Sequence, residues 1–451
     1  MFCNEAKHQG PVGTGVKNSS DNILVGRLRV KQFAGGGGSR MASASFARAV
    51  VGEKRQRPEA VPPVLLGVRG LNNLGNTCFM NSVLQVLLHC PPFRNFFLGD
   101  HHNRFACMAR ARQSPASCPP ADGVLGDTET PPPAGVRRPC LACEMDSLFT
   151  QCYSGHTVPC SPHAFLHAMW CNAEYFAGYE QQDAHEFLIA ALASIYAGLA
   201  LPENPTRPPT PADLVKMRGP SSAQRPLGAV DLQGIFTGVL RSDVACLKCH
   251  GKSTKYEEFQ DISLDLSRLA AEEGGGATGY HTTLSGCLRS FTRAERLSSA
   301  ERCWCPSCGA LQDSTKQLSV HRLPNVLCFH LKRFKHSANK QQPPSKIESF
   351  VEFPLHSLNM RPHTSSYICS HNTHSNGQQQ APALEPLPEH LYDLFGVVVH
   401  HGTMQTGHYT NYVRCQADWF HCSDATVTPA SVEEVRSAMG YLLFFQRKRC
   451  V

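Results

Sequence analysis

Two Cys-x-x-Cys pairs constrain this chain more than any other feature: Cys246 with Cys249 in CLKC, and Cys305 with Cys308 in CPSC. The spacing turns both thiolates of a pair toward one point, and two such knuckles separated by a long insert suit tetrahedral Zn²⁺. The competing reading is four unrelated buried cysteines, with Cys303 a bystander in either case. Composition supports metal over disulfides. The chain has 451 residues and 21 cysteines, an odd number that a fully paired monomer cannot hold, and its opening MFCNEAKHQG has neither the basic start nor the apolar run of a secretory signal. No stretch approaches the length of apolar sequence that a membrane span needs, so the expectation is a soluble intracellular protein. A net charge of +7 suits an acidic partner such as chromatin, but no Lys/Arg block concentrates it.

Residues 1–62 are rich in Gly, Ser and Ala, include the run Gly35 to Gly38, and lack apolar periodicity, which predicts a disordered tail; Met41 is an alternative start. Length alone suggests about three domains. The Pro-, Gly-, Ser- and His-rich stretches near 111–138, 202–228, 268–281 and 361–388 instead read as surface insertions in one large mixed catalytic domain over 63–447. A helix is expected from Cys78, capped by Asn76 or Thr77, and another over 182–199. Strands are expected over 326–334, 394–401, 408–414 and 440–445.

A cysteine at a helix N-terminus meets the positive end of the dipole, and a nearby imidazole lowers its pKa further, which makes Cys78 a candidate nucleophile. His408 follows Gly407 at the head of a strand and is the candidate base. Asp424, a strand and a turn downstream, is a candidate to hold the ring, and Asn73 could donate to an oxyanion. Taken singly these are weak signals, since a buried cysteine is usually a small hydrophobe and a histidine usually structural.

Four strings in order strengthen them. GLNNLGNTCFMNSVLQ resembles the Cys box of the ubiquitin-specific proteases, GTMQTGHYTNYV with WFHCSDA resembles their His box, and GYEQQDAHEFL and YLLFF resemble further blocks. The resemblance implies an α+β fold, a papain-like cysteine protease with thumb, palm and zinc-bearing fingers, that cleaves after the C-terminal glycine of ubiquitin. It assigns Cys78 as nucleophile, His408 as base, Asn73 as oxyanion donor and Asp183 as a contact for the basic ubiquitin tail. One departure is Ser423, where the family usually carries the Asp or Asn that orients the histidine. Either Asp424 takes over, which is the expectation, or Ser423 does so without charge.

A second candidate metal set is His102, Cys107, Cys140 and Cys143, with His101 and Cys118 as alternates. It resembles a zinc site of the branch that serves the SAGA deubiquitinating module. Each set offers four protein ligands and no open position, so both Zn²⁺ ions would be structural. That branch implies a nuclear (with cytoplasm also open) chromatin and transcription regulator, with ubiquitin, ubiquitinated histones and SAGA adaptor subunits as partners. Its N-terminal zinc-finger ubiquitin-binding domain has no counterpart in 1–62, where only Cys3 and His8 could ligate. Two alternatives remain: a catalytically weak ubiquitin scaffold, and a zinc-dependent nucleic-acid binder. The second leaves both boxes unexplained and lacks an aromatic-basic platform beside the knuckles, so no sequence-specific nucleic acid is expected.

Overall fold

The computed structural model describes residues 67–107, 138–199, 232–266, 282–335, 345–373, 387–403 and 406–448. The chain divides into the units Met1–Pro62 and Pro63–Val451. The tail expected over 1–62 lies outside the described residues, as do the insertions at 202–228 and 268–281 and residues 111–137 of the first.

Among the described residues five α-helices come first: α1 Cys78–His89, α2 Pro91–Leu98, α3 Leu141–Cys152, α4 His163–Asn172 and α5 Ala184–Leu199. All twelve residues of α1 are buried, polar ones included, so it is a central helix rather than an amphipathic surface one. It packs on α5 and on the main sheet.

The principal strands are β1 Gly238–Cys246, β2 Lys252–Phe259, β3 Ile262–Asp265, β4 Ser314–Arg322, β5 Val326–Lys332, β6 Leu391–Gly402, β7 Gly407–Cys415, β8 Asp418–Ser423, β9 Thr426–Ala430 and β10 Gly440–Arg447. The main sheet runs β9-β8-β7-β6-β10-β5-β3, with β3 parallel to β5 and the other neighbours antiparallel. A second sheet, β2-β1-β4 with Glu295–Arg296, carries the first Cys-x-x-Cys pair at the end of β1.

Both faces of the main sheet are covered, which explains the unbroken apolar run GYLLFF. Leu442 and Phe444 face the helical core with Val326, Cys328 and Val398, while Leu443 and Phe445 face a second core with Leu327, Phe329 and Val399. Side chains alternate across a strand, so two buried faces require apolar residues at every position.

The four strands expected from sequence are present, with the first breaking at Arg333 between β5 and Phe334–Lys335. One expectation fails. Residues 361–373 are not an insertion loop: Arg361–His363 form a 3-10 turn, and Ser365–Thr373 form a helix packed on β4. Thr364 bridges to Val320, and its hydroxyl accepts from the Tyr367 amide at 3.4 Å, so His363 and Thr364 are buried where Ser and His content had suggested solvent.

The core also contains neutral histidines. Burial holds His89, His363 and His400 down to about 4, and burial with the neighbouring His185 holds His330 down to about 3. In the unfolded chain each takes a proton near 6.5, about where model histidines titrate. Because the folded values are depressed, this stability is complete above about pH 6.5 and is lost as pH falls toward 4; His89 alone accounts for roughly 3 kcal/mol. The melting temperature is therefore expected to drop across that window. A flat melting profile between pH 6.5 and 4 would contradict it.

Candidate active site

The segment before α1 is a tight, locally bonded loop. Asn73 Oδ1 accepts from the amides of Gly75 at 3.0 Å and Thr77 at 3.1 Å, and the Thr77 hydroxyl accepts from the Leu74 amide at 2.9 Å. Gly75 at φ 104° and Asn76 at φ 52° take the left-handed conformations this requires. Thr77 occupies the N-cap position without capping through its side chain, while Asn76 Nδ2 reaches out to Tyr179 O at 2.7 Å. Cys78 opens the helix with its thiol buried, and α1 packs against β7, the strand that carries His408 and Tyr409.

The thiol is not pre-activated as the dipole argument expected. Burial pushes Cys78 up, the Asp424 charge adds to this, and the amides of Tyr409, Phe79 and Cys78 only partly oppose it. Desolvation of a thiolate outweighs a few backbone donors. The lowered pKa expected for this residue is thus corrected for this conformation.

His408 sits near the start of β7, half-buried, and its Nε2 lies 2.9 Å from Ser423 Oγ. The expectation that Asp424 holds this ring is also corrected. Ser423 ends β8 facing β7, whereas Asp424 enters the turn to β9 at φ 48° and its side chain swings away. That turn is seated on the loop before α1. The Leu71 amide donates to Asp424 O at 2.9 Å, and a Cβ on Gly70 would stand 2.0 Å from Ala425 O. The Asp424 carboxylate instead accepts from Asn73 Nδ2 at 2.9 Å and Asn81 Nδ2 at 2.8 Å. The structure therefore brings Asp424 to Asn73, and Ser423 to His408.

A residue not singled out from sequence completes the frame. Gln181 Nε2 donates to Gly407 O at 2.9 Å, and the Gly407 amide donates to Gln181 Oε1 at 2.8 Å, so one side chain grips the peptide just ahead of His408. Gly407 is needed there, since a Cβ would fall 2.0 Å from His400 Nε2. The QQD string held the signal, but only the fold shows where the glutamine reaches. Gln181→Ala is expected to lower kcat about tenfold, the worth of two modest hydrogen bonds that position His408. Turnover of a ubiquitin–fluorophore substrate, with a melt to confirm an intact fold, checks this; an unchanged kcat would dismiss the clamp.

Asp183 caps α5. Its Oδ1 accepts from the amides of His185 at 2.7 Å and Glu186 at 3.1 Å, and Tyr441 Oη donates to Oδ2. The residue is half-buried, and its remaining lone pairs are what a basic peptide could use.

Both expected cysteine sets assemble, each with its ligand atoms within 4.8 Å of one another. In the first, Cys246 and Cys308 sulfurs are 4.0 Å apart and Cys249 and Cys305 are 3.4 Å apart, bracketing the ~3.8 Å edge of a tetrahedral zinc thiolate site. In the second, His102 Nε2 lies 3.3 Å from Cys143 Sγ and 3.9 Å from Cys140 Sγ, and Cys107 completes the set. His101 instead packs its ring on Phe96, and Cys118 lies outside the described residues. These donors fit zinc, and the cysteine clusters could bind it. A third cluster, His185, Asp261 and His330, was not foreseen. Its imidazoles stack with centroids 3.9 Å apart, and Asp261 Oδ2 lies 3.0 Å from His185 Nε2.

Among the described residues no helix is long and apolar enough to cross a membrane. The chain is 42% identical over 397 residues to bovine ubiquitin carboxyl-terminal hydrolase 22, covering 85% of this chain and 68% of that protein. It is 40% identical over 413 residues to human ubiquitin carboxyl-terminal hydrolase 27, covering 88% and 83%. It spans about two thirds of the length of the first of these relatives. Among solved structures it is similar to the SAGA Ubp8/Sgf11/Sus1/Sgf73 DUB module bound to ubiquitin aldehyde, with a TM-score of 0.61 at 28% identity, covering 86% of this chain and 71% of that one. Residues 69–445 match the family described as ubiquitin carboxyl-terminal hydrolase. With Cys78 at the buried head of α1 and the His408 strand laid across it, the chain belongs to the ubiquitin carboxyl-terminal hydrolase family of cysteine-type deubiquitinating peptidases.

Proposed function

We propose that this chain hydrolyses the isopeptide bond at the C-terminal glycine of ubiquitin, with Cys78 as nucleophile and His408 as base. The observation that carries the reading is the packing of α1, which Cys78 opens, against β7, which carries His408 near its start with the ring held by Ser423. His408 takes the thiol proton as sulfur attacks the glycine carbonyl. The oxyanion accepts from the Cys78 N–H and from the second Nδ2 hydrogen of Asn73, the first being held by Asp424. Collapse forms the thioester, the lysine amine leaves with the proton from His408, and water activated by the same imidazole releases ubiquitin. Asp183, oriented as the α5 cap, would accept from arginines of the ubiquitin tail.

The two cysteine sets would each hold one structural Zn²⁺, the first bracing the β1–β4 sheet and the second tying the head of α3 to the segment after α2. The SAGA DUB module structure bound to monoubiquitin holds Ubp8 with Sgf11, Sus1 and Sgf73, and by analogy this chain would act on ubiquitinated histones in the nucleus beside SAGA-type adaptor subunits, as a chromatin and transcription regulator.

A weak ubiquitin-binding scaffold is the second reading, favoured by Ser423 at the ring and by the raised Cys78 thiol. The deciding experiment mixes the chain with a ubiquitin probe bearing a C-terminal electrophile, with and without adaptors, beside a Cys78→Ala control. A mass shift lost in the control supports the enzyme; no shift under either condition supports the scaffold. Ser423→Asp would place a carboxylate on Nε2 and stabilise imidazolium, so kcat is expected to rise about tenfold. A fall would mean that serine is the fitted partner of this ring.

A further inference from the structure

Two buried thiols outside both metal sets lie against each other behind the active site. Cys152 ends α3 and Cys160 lies in the backbone bridge to Leu71; their sulfurs are 3.7 Å apart. This is van der Waals contact without a bond, so a shift of about 1.7 Å through side-chain torsions would close a disulfide of ~2.05 Å. The intervening loop turns at Gly155, at φ 84°, and Arg69 holds both of its arms, donating to Gln151 O at 2.7 Å and to Val158 O.

The chemistry of the pair is asymmetric. The hydrogen bond the two thiols share, in which either can donate, and next the Arg69 guanidinium, act against burial to hold Cys160 below the ordinary cysteine range, while Cys152 is pushed up. By contrast, burial pushes Cys90 and Cys422 up to about 12. Cys160 itself is 5% exposed and follows a surface loop in which His156, Thr157 and Val158 face solvent, Val158 at 70%.

We propose that Cys152 and Cys160 are a redox modification site, joined by mild peroxide in a reversible disulfide that fastens the end of α3 to the segment leading to the active site. The Cys160 thiolate attacks one peroxide oxygen, the O–O bond breaks, and hydroxide leaves to take up a proton as water. The resulting sulfenic acid is attacked by the Cys152 sulfur, whose proton leaves with the sulfenic oxygen as a second water. Two thiols and one peroxide thus give one disulfide and two waters. The bridge that would feel the bond is close to the chemistry: the Cys160 amide donates to Gly70 O at 3.0 Å, the Asn72 amide to Cys160 O at 2.8 Å, and Asn73 follows.

The test uses the full chain with Cys78→Ala, so that the nucleophile does not compete for oxidant. The reduced protein is titrated with hydrogen peroxide, its remaining thiols are alkylated, the monomer is isolated, and it is digested with chymotrypsin without reductant. Cleavage after Phe149, Tyr153 and Phe165 separates the two cysteines onto different peptides, TQCY and SGHTVPCSPHAF. The expected result is a single linked species from at least half of the chains, which dithiothreitol resolves. Full alkylation of both peptides at peroxide levels that oxidise other thiols would overturn the proposal. So would separate sulfinic acids, or linkage found only in dimers.

Discussion

Asp424→Ala is expected to lower kcat for ubiquitin release by about two to three orders of magnitude with little change in KM, whereas Ser423→Ala should cost less than about tenfold. The carboxylate accepts from Asn73 and Asn81 and makes no contact with the His408 ring like that of Ser423. Removing it frees the Asn73 amide to rotate away from the oxyanion, an interaction realised mainly in the transition state, so kcat suffers rather than binding. Of the two amide donors that would lose this acceptor, Asn73 is exposed and Asn81 Nδ2 keeps the Leu71 and Asn72 carbonyls at 3.3 Å, so the stability cost lies at the low end of about 1–3 kcal/mol. Kinetics should therefore be run well below the melting temperature of the variant. Asp424→Asn, which keeps the shape and one acceptor oxygen, should recover part of the rate. The reverse order, with Ser423→Ala the more damaging, would show that the hydroxyl on the ring matters more than the carboxylate on Asn73.

Loss of the second cysteine set is expected to be the most destabilising change in the protein. Cys140 precedes α3 and Cys143 lies in its first turn, both buried in the helical core that also holds α1 and α5. Cys140→Ala should release one zinc per chain, measured by metal analysis, and lower the melting temperature by roughly 10 °C or more, because a structural zinc site contributes folding free energy directly. Cys305→Ala should also release one zinc, but it loosens mainly the β1–β4 sheet and should raise KM for ubiquitin more than it lowers the melting temperature. Unchanged metal content in either variant would exclude that set as a zinc site.

The sequence by itself determined the local settings of the candidate residues. A Gly- and Asn-rich turn followed by apolar residues at helical spacing could only place Cys78 at a helix head, and alternation or continuous apolarity marked the strands that carry His408 and Tyr441. The cysteine clusters were legible because ligands that could share one metal ion recur at fixed short spacings. Contacts between residues far apart in the chain were not legible. Whether Ser423 or Asp424 meets His408 turned on one left-handed φ in the β8–β9 turn, because neighbouring residues leave a strand end on opposite sides. Gln181 on Gly407 and Asp183 as an α5 cap joined to Tyr441 depend on which loop the packed core sets beside which strand. The raised Cys78 thiol has the same origin: a helix dipole is a property of the segment, but desolvation is a property of everything packed around it, and here burial wins.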